Sequence, residues 1–262
     1  MKYGFIGCGN MGGALALALS KKTTDICIGD PAPKAKEFAE KLGLCYLEPK
    51  KVALVSDRLF LGVKPQMMEQ VLSELSPALK EKKPLIITMA AGLSTRRICE
   101  MAGITLPIIR IMPNTPVAVN KGTVLYCSNG LVNEEDIKDF LMDMEFAGSF
   151  EAVPEELFDA AGTVSGCGPA YFYMMIEGLA RGAEKCGVNR EDAIKYAANT
   201  MLGAAQMVLS SPDTPETLKN NVCSKGGSTI EGVKVLEENG FYETITACIE
   251  AAYKRNKELG KN

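Results

Sequence analysis

The chain has 262 residues, 47% of them apolar, a formal charge of −3 and no histidine. That length and apolar content support about two globular domains of ~100–200 residues. The near balance of 29 basic against 32 acidic residues, without a long basic block, excludes the many phosphate contacts of a nucleic-acid binder, and the missing imidazole excludes Ser-His-Asp and Cys-His pairs, His-ligated metals and a histidine general base.

Lys2 followed by the uncharged stretch Tyr3 to Ser20 imitates a signal peptide, but glycines and Asn10 interrupt it. It is also shorter than the ~20 mainly apolar residues that span a bilayer. The nine cysteines are odd in number and contain no C-x-x-C pair, which points to free thiols in a reducing compartment rather than zinc or a redox dithiol. The expectation is a cytoplasmic protein with no membrane, nucleic-acid or metal partner.

From Lys2 to about Phe150, short apolar runs alternate with helical segments, the pattern of a parallel sheet covered by helices on both faces. Strands are predicted at 3–6, 26–29, 59–63, 85–89, 108–111 and 124–127, with a short one at 44–46. Helices are predicted at 13–22, 34–42, 67–79, 95–101 and 134–144. After Pro154 the strand character disappears. A helix is expected to open at Pro169 and close at Gly187, and another starts near Asn189. The second carries no charge from Tyr196 to Pro212, too apolar for a domain of this size to bury alone, so a partner subunit is expected to cover it. The fold class is therefore α/β, a doubly wound domain over 1–153 followed by an all-α dimerisation and substrate domain over 154–262.

Gly7-Cys8-Gly9-Asn10-Met11-Gly12 follows the first strand and opens a helix, with Asp30 at the end of the second strand. Strand before, helix after and an acid about 20 residues on make this a dinucleotide fingerprint. Asp30 leans toward NADH, because a carboxylate there repels the extra phosphate of NADPH, while Lys34 and Lys36 just beyond could reach that phosphate, although lysines there more often cover a solvated helix face. Three further strand ends, at Val63-Lys64-Pro65, Ala90-Ala91-Gly92 and Met112-Pro113-Asn114, should border the nicotinamide half of the cofactor.

In the helical half, Ser224-Lys225-Gly226-Gly227-Ser228-Thr229-Ile230-Glu231 reads in two ways. Ser228 and Glu231 form a capping box for a helix running to Asn239, with Gly240 as its stop. The same glycines and hydroxyls also form a nest of N–H groups suited to a small carboxylate. Ser165-Gly166-Cys167-Gly168-Pro169 reads as a close-packed turn, with Cys167 a small buried hydrophobe.

These segments, together with Phe5-Ile6 and Val235-Leu236-Glu237, resemble the pyrroline-5-carboxylate reductases along the whole chain; the Gly226-to-Ile230 segment is the most specific of them. The resemblance implies reduction of 1-pyrroline-5-carboxylate to L-proline by NADPH or NADH, the last step of proline biosynthesis, in a homodimer interlocked through its C-terminal helices and often built into a ring of five dimers. It also implies that Ser224, Gly226, Gly227, Ser228 and Thr229 hold the substrate carboxylate, with Thr229 hydrogen-bonded to the ring nitrogen. Gly7, Gly9, Asn10, Met11, Gly12, Asp30, Val63, Lys64, Pro65, Ala90, Ala91, Gly92 and Asn114 are implied to line the cofactor. Family members usually carry Ser at Cys167, Pro at Lys225 and a neutral residue at Asp30. The alternatives are a hydroxyacid or 6-phosphogluconate-type dehydrogenase, which needs a lysine in the helical half (Lys185, Lys195 or Lys219), and a regulatory protein that binds NAD(P) without turnover.

Overall fold

The computed structural model describes residues 1 to 259. Eight strands form one sheet in the order β3-β2-β1-β4-β5-β6-β7-β8. They are β1 (Tyr3–Ile6), β2 (Ile26–Gly29), β3 (Cys45–Tyr46), β4 (Arg58–Leu61), β5 (Leu85–Thr88), β6 (Ile108–Met112), β7 (Gly122–Ser128) and β8 (Gly148–Ala152). Between them run α1 (Asn10–Ser20), α2 (Pro33–Lys41), α3 (Pro49–Val55), α4 (Pro65–Lys82), α5 (Thr95–Ala102) and α6 (Glu134–Asp143). Proline at the first turn starts α2, α3 and α4, where its missing N–H would have no helical partner in any case.

Successive residues of a strand point to opposite faces, and here both faces are covered. Phe5, Phe60, Ile87 and Ile109 pack on one side with Leu15, Leu19 and Phe140, and Phe5 and Phe60 stack at 4.2 Å. Leu59, Leu61, Ile86 and Ile108 pack on the other side with Val52, Leu72, Leu79 and Ile98. This is why the central strands read as continuous apolar runs. At their N-terminal ends the guanidinium of Arg58 is buried against the Tyr3 hydroxyl, 2.8 Å away, and faces Asp136, Asp139 and Asp143 of α6.

Three features depart from the sequence reading. The sheet is not wholly parallel, since β7 runs antiparallel to β6. The elements α3 and β8 were not anticipated; β8 is an edge strand whose Phe150 alone packs on the core. The next helix, α7 (Glu155–Lys185), begins well before Pro169 and passes through it, so the segment 165–171 is helical rather than a turn, and Cys167 is only partly buried.

The remaining helices are α8 (Arg190–Ser210), α9 (Pro215–Val222), α10 (Ser228–Glu238) and α11 (Phe241–Leu259). The Asn189 side chain caps α8 by accepting the Asp192 N–H. The chain divides into two compact units, one of residues 1–169 with the chain end from Ala252, the other of residues 170–251. The division falls inside α7, further along the chain than the 153/154 boundary read from composition. Within the first unit, α7 is tied to the sheet domain by Arg110 of β6. This buried guanidinium bonds Asp159, faces Glu155 at 3.8 Å and lies over the Phe158 ring at 4.4 Å. Glu155 in turn accepts from the Thr95 N–H and hydroxyl, at 2.7 and 2.9 Å.

Candidate active site

The strand order reverses between β1 and β4, and in open α/β sheets ligands gather at such a point beyond the carboxyl ends of the strands. The glycines there have separate duties. Gly7 turns the chain at φ +88, a backbone conformation that L side chains rarely adopt. A Cβ at Gly12 would stand 2.2 Å from the Gly7 carbonyl oxygen, and one at Gly62 would stand 2.3 Å from it. Those two glycines therefore bring α1 and β4 against the turn. Gly9, by contrast, has nothing within 4 Å of its Cβ direction. It is the N-cap of α1 and no side chain caps that helix, so the N–H groups of the first turn, Asn10 and Met11 included, remain open to an anion.

Asp30 fixes this loop. One carboxylate oxygen accepts the Cys8 N–H at 2.6 Å and the other the Ala32 N–H at 2.8 Å, while the Tyr46 hydroxyl donates to the Asp30 carbonyl at 2.7 Å. Burial, reinforced by the Asp30 charge, pushes the Cys8 thiol up to about 12. A cleft of about 690 Å³ opens here, lined by Gly7, Gly9, Asp30, Val63 and Lys64. Gly62, Glu48 and Pro49 line it too and were not singled out from sequence; Gly62 was legible as a glycine at the end of β4, whereas Glu48 and Pro49 arrive through the unanticipated α3. Lys64 is the exposed N-cap of α4 and Pro65 its first residue.

Beyond β5, Ala90 is buried and Gly92 turns at φ +75, leading to α5, whose N-cap Ser94 accepts the Arg97 N–H. Asn114 follows β6 and is buried, its side-chain amide bonded at both ends to protein.

In the second unit, the Gly227 N–H bonds the Ser224 carbonyl at 3.0 Å, with Gly226 at φ +73. This is the geometry of a type II turn, with Lys225 at the position where proline is common. Gly227 is the N-cap of α10, and no side chain caps it. The capping box does not form, because Ser228 is already the first helical residue and the Glu231 carboxylate pairs instead with Lys234 at 2.8 Å. The turn thus presents the N–H groups of the first turn of α10 uncapped, beside the exposed hydroxyls of Ser224, Ser228 and Thr229. Of the lysines a sugar-acid dehydrogenase would need, Lys219 is held between Glu216 and Glu237 at 3.0 and 2.9 Å, and Lys185 and Lys195 stand exposed on α7 and α8.

A family model described as pyrroline-5-carboxylate reductase dimerisation matches residues 155–259, and one described as NADP oxidoreductase, coenzyme F420-dependent, matches residues 2–92. The pyrroline-5-carboxylate reductase of Escherichia coli (strain K12) is 39% identical over 266 residues, covering 98% of each chain. The chain belongs to the pyrroline-5-carboxylate reductase family. The enzyme of Methanosarcina acetivorans is 37% identical over 99% of this chain and 98% of its own. The solved structure of the Plasmodium falciparum pyrroline carboxylate reductase with NADP bound superposes with a TM-score of 0.90 at 33% identity, covering 99% of this chain and 98% of that one. As in the family generally, the activity is reduction of pyrroline-5-carboxylate to proline, and the C-terminal helices form the dimerisation domain.

Proposed function

We propose that the β1–α1 loop, Asp30, Val63 to Pro65 and Ala90 to Gly92 hold NAD(P)H, and that Ser224 to Thr229 hold the carboxylate of 1-pyrroline-5-carboxylate while it is reduced to L-proline. The observation that carries the reading is that two helices each open on a glycine N-cap with no side-chain cap, α1 at the bare Gly9 and α10 at Gly227 after the Gly226 turn. The first suits a pyrophosphate and the second a small carboxylate. NAD(P)H, when bound, supplies the hydride.

The protein's task is then mainly positional. A cyclic imine is protonated before hydride arrives, so the developing negative charge that a ketone would require a donor to meet does not form. Thr229 takes the role of hydrogen-bonding the ring nitrogen, and Gly226, Gly227 and Ser228 fix the carboxylate. This chemistry needs no imidazole, in agreement with a chain that has none. The dehydrogenase alternative lacks a suitable lysine, and a sensor that only binds the dinucleotide has no use for a second anion cradle.

Asp30 supports a preference for NADH, with Lys34 and Lys36 exposed on α2 as the opposing influence. The nine unpaired cysteines support a reducing, cytoplasmic setting, and no helix among the described residues is long and apolar enough to cross a membrane. Five dimers in a ring are the larger assembly we propose, to be checked by sedimentation. Oxidation of NADH and of NADPH, each followed with pyrroline-5-carboxylate and with a 2-hydroxy acid's keto form, tests the activity. Turnover of the keto acid alone would overturn the reading.

A further inference from the structure

A proline inside a helix has no N–H to offer the carbonyl four residues back, and its ring crowds that carbonyl. Among the described residues this defect occurs twice. In α4 it falls at Pro77, and Pro77 and Ser73 are both exposed, so water can serve the released carbonyl. In α7 it falls at Pro169, which is buried together with Gly168. The released carbonyl there is that of Ser165.

That carbonyl is served by a side chain from outside the helix. Asn114 donates its Nδ2 to the Ser165 oxygen at 3.0 Å. Its Oδ1 accepts the Thr123 N–H, at the start of β7, at 2.9 Å. The residue is 8% exposed, and its two partners fix the amide's orientation, since one needs a donor and the other an acceptor. Two residues earlier, Met112 lies so close to α7 that a Cβ on Gly162 would come within 3.2 Å of its Cε. The end of β6 is therefore registered on α7 just ahead of the proline break.

We propose that Asn114 is a positioning residue whose amide splices the segment after β6 to the break in α7, rather than a direct ligand of the cofactor. The proposal rests on the reductase reading only for its kinetic readout. Asn114 acts through its neighbours: it sets where the loop after β6 stands beside the nicotinamide half of the site. It also completes the helix that carries the chain into the second unit.

The test uses removal of the proline as the suppressor. Asn114→Ala should lower kcat/KM for the imine about five- to tenfold, mainly through kcat, with the dissociation constants of NADH and NADPH within about twofold of the parent. Pro169→Ala returns to α7 its own N–H for Ser165. In the parent background it should leave kcat/KM within about threefold, but in the Asn114→Ala background it should raise both kcat/KM and the melting temperature. Should Asn114→Ala not fold, Asn114→Asp serves in its place: once protonated, its carboxyl can donate to Ser165, so its melting temperature should recover toward the parent's as pH falls. The proposal is overturned if Pro169→Ala has the same effect in both backgrounds, if cofactor affinity falls as far as kcat/KM, or if the aspartate variant shows no such recovery. A parent enzyme inert toward pyrroline-5-carboxylate would instead defeat the functional reading, leaving melting temperatures and cofactor binding to judge the splice.

Discussion

Asp30 is both a ligand candidate and a fastener, because its two oxygens already hold the Cys8 and Ala32 N–H groups. A carboxylate has lone pairs to spare for ribose hydroxyls, but replacing it also loosens the loop over the pyrophosphate. The expected result of Asp30→Ser is weaker binding of both cofactors and a smaller ratio of KM for NADPH to KM for NADH, a ratio that should exceed one in the parent. A parent that prefers NADPH tenfold would show that Lys34 or Lys36 dominates. Thr229→Ala should cost about 1.5–3 kcal/mol in kcat/KM for the imine, the scale of a hydrogen bond to a charged group, with cofactor KM unchanged. Unchanged kinetics in a folded variant would remove Thr229 from the site. At this scale the sequence was informative about Gly7, Gly9, Gly12 and Asp30, whose spacing carries their roles. It was silent on the Tyr46 hydroxyl and on the bond from Asn114 to Ser165, because no local pattern announces either partner.

Among the elements, the β1–α1 turn separates folding from binding. Gly12→Ala places a methyl 2.2 Å from a backbone oxygen, an overlap that should destabilise the fold by about 1–3 kcal/mol. Gly9 lies at φ −69, a value alanine accepts, with open space in front. Gly9→Ala should therefore keep its melting temperature and lose about tenfold or more in affinity for either cofactor, measured by fluorescence titration. Equal losses of stability in both variants would count against the division of labour. The strands β1 and β2 were legible to the residue, being short apolar runs bounded by charge and glycine. The reading failed where local signals competed with tertiary ones. Pro169 carried the mark of a helix start, yet Asn114 supplies the missing bond and the helix continues through it. Ser228 and Glu231 had capping-box spacing, yet the preceding turn puts Gly227 at the cap. The α3 helix is only seven residues long and opens on Pro-Lys-Lys, too short to show a period.

At the level of the whole molecule, the second unit is incomplete as a single chain. Of α8, only Ala193 and Ala197 are buried, while Leu202 and Leu209 are 68% and 82% exposed, and Phe172 and Met174 of α7 stand open as well. Apolar surface on this scale belongs in an interface, as the dimerisation match over these helices indicates. Ala205→Asp should place an unpaired charge there, at a cost of several kcal/mol. Sedimentation and activity assays on the same samples should show loss of both dimer and turnover; a folded, active monomer would refute the shared core. The need for a partner was visible in the uncharged run of α8, whereas the helix that spans both units was hidden by its proline. That shared helix decides where the polypeptide can be cut. A chain stopped after Val153 loses Asp159 and Glu155 from the buried Arg110, and it strips Phe158 from Leu125 and Cys127, which it covers. Such a fragment should aggregate, while one stopped after Pro169 keeps these pairs and should show the more cooperative melt by circular dichroism. A swap of nucleotide-binding halves between relatives should accordingly keep residues 155–169 with the half that supplies Arg110, because those pairs are made within the first unit.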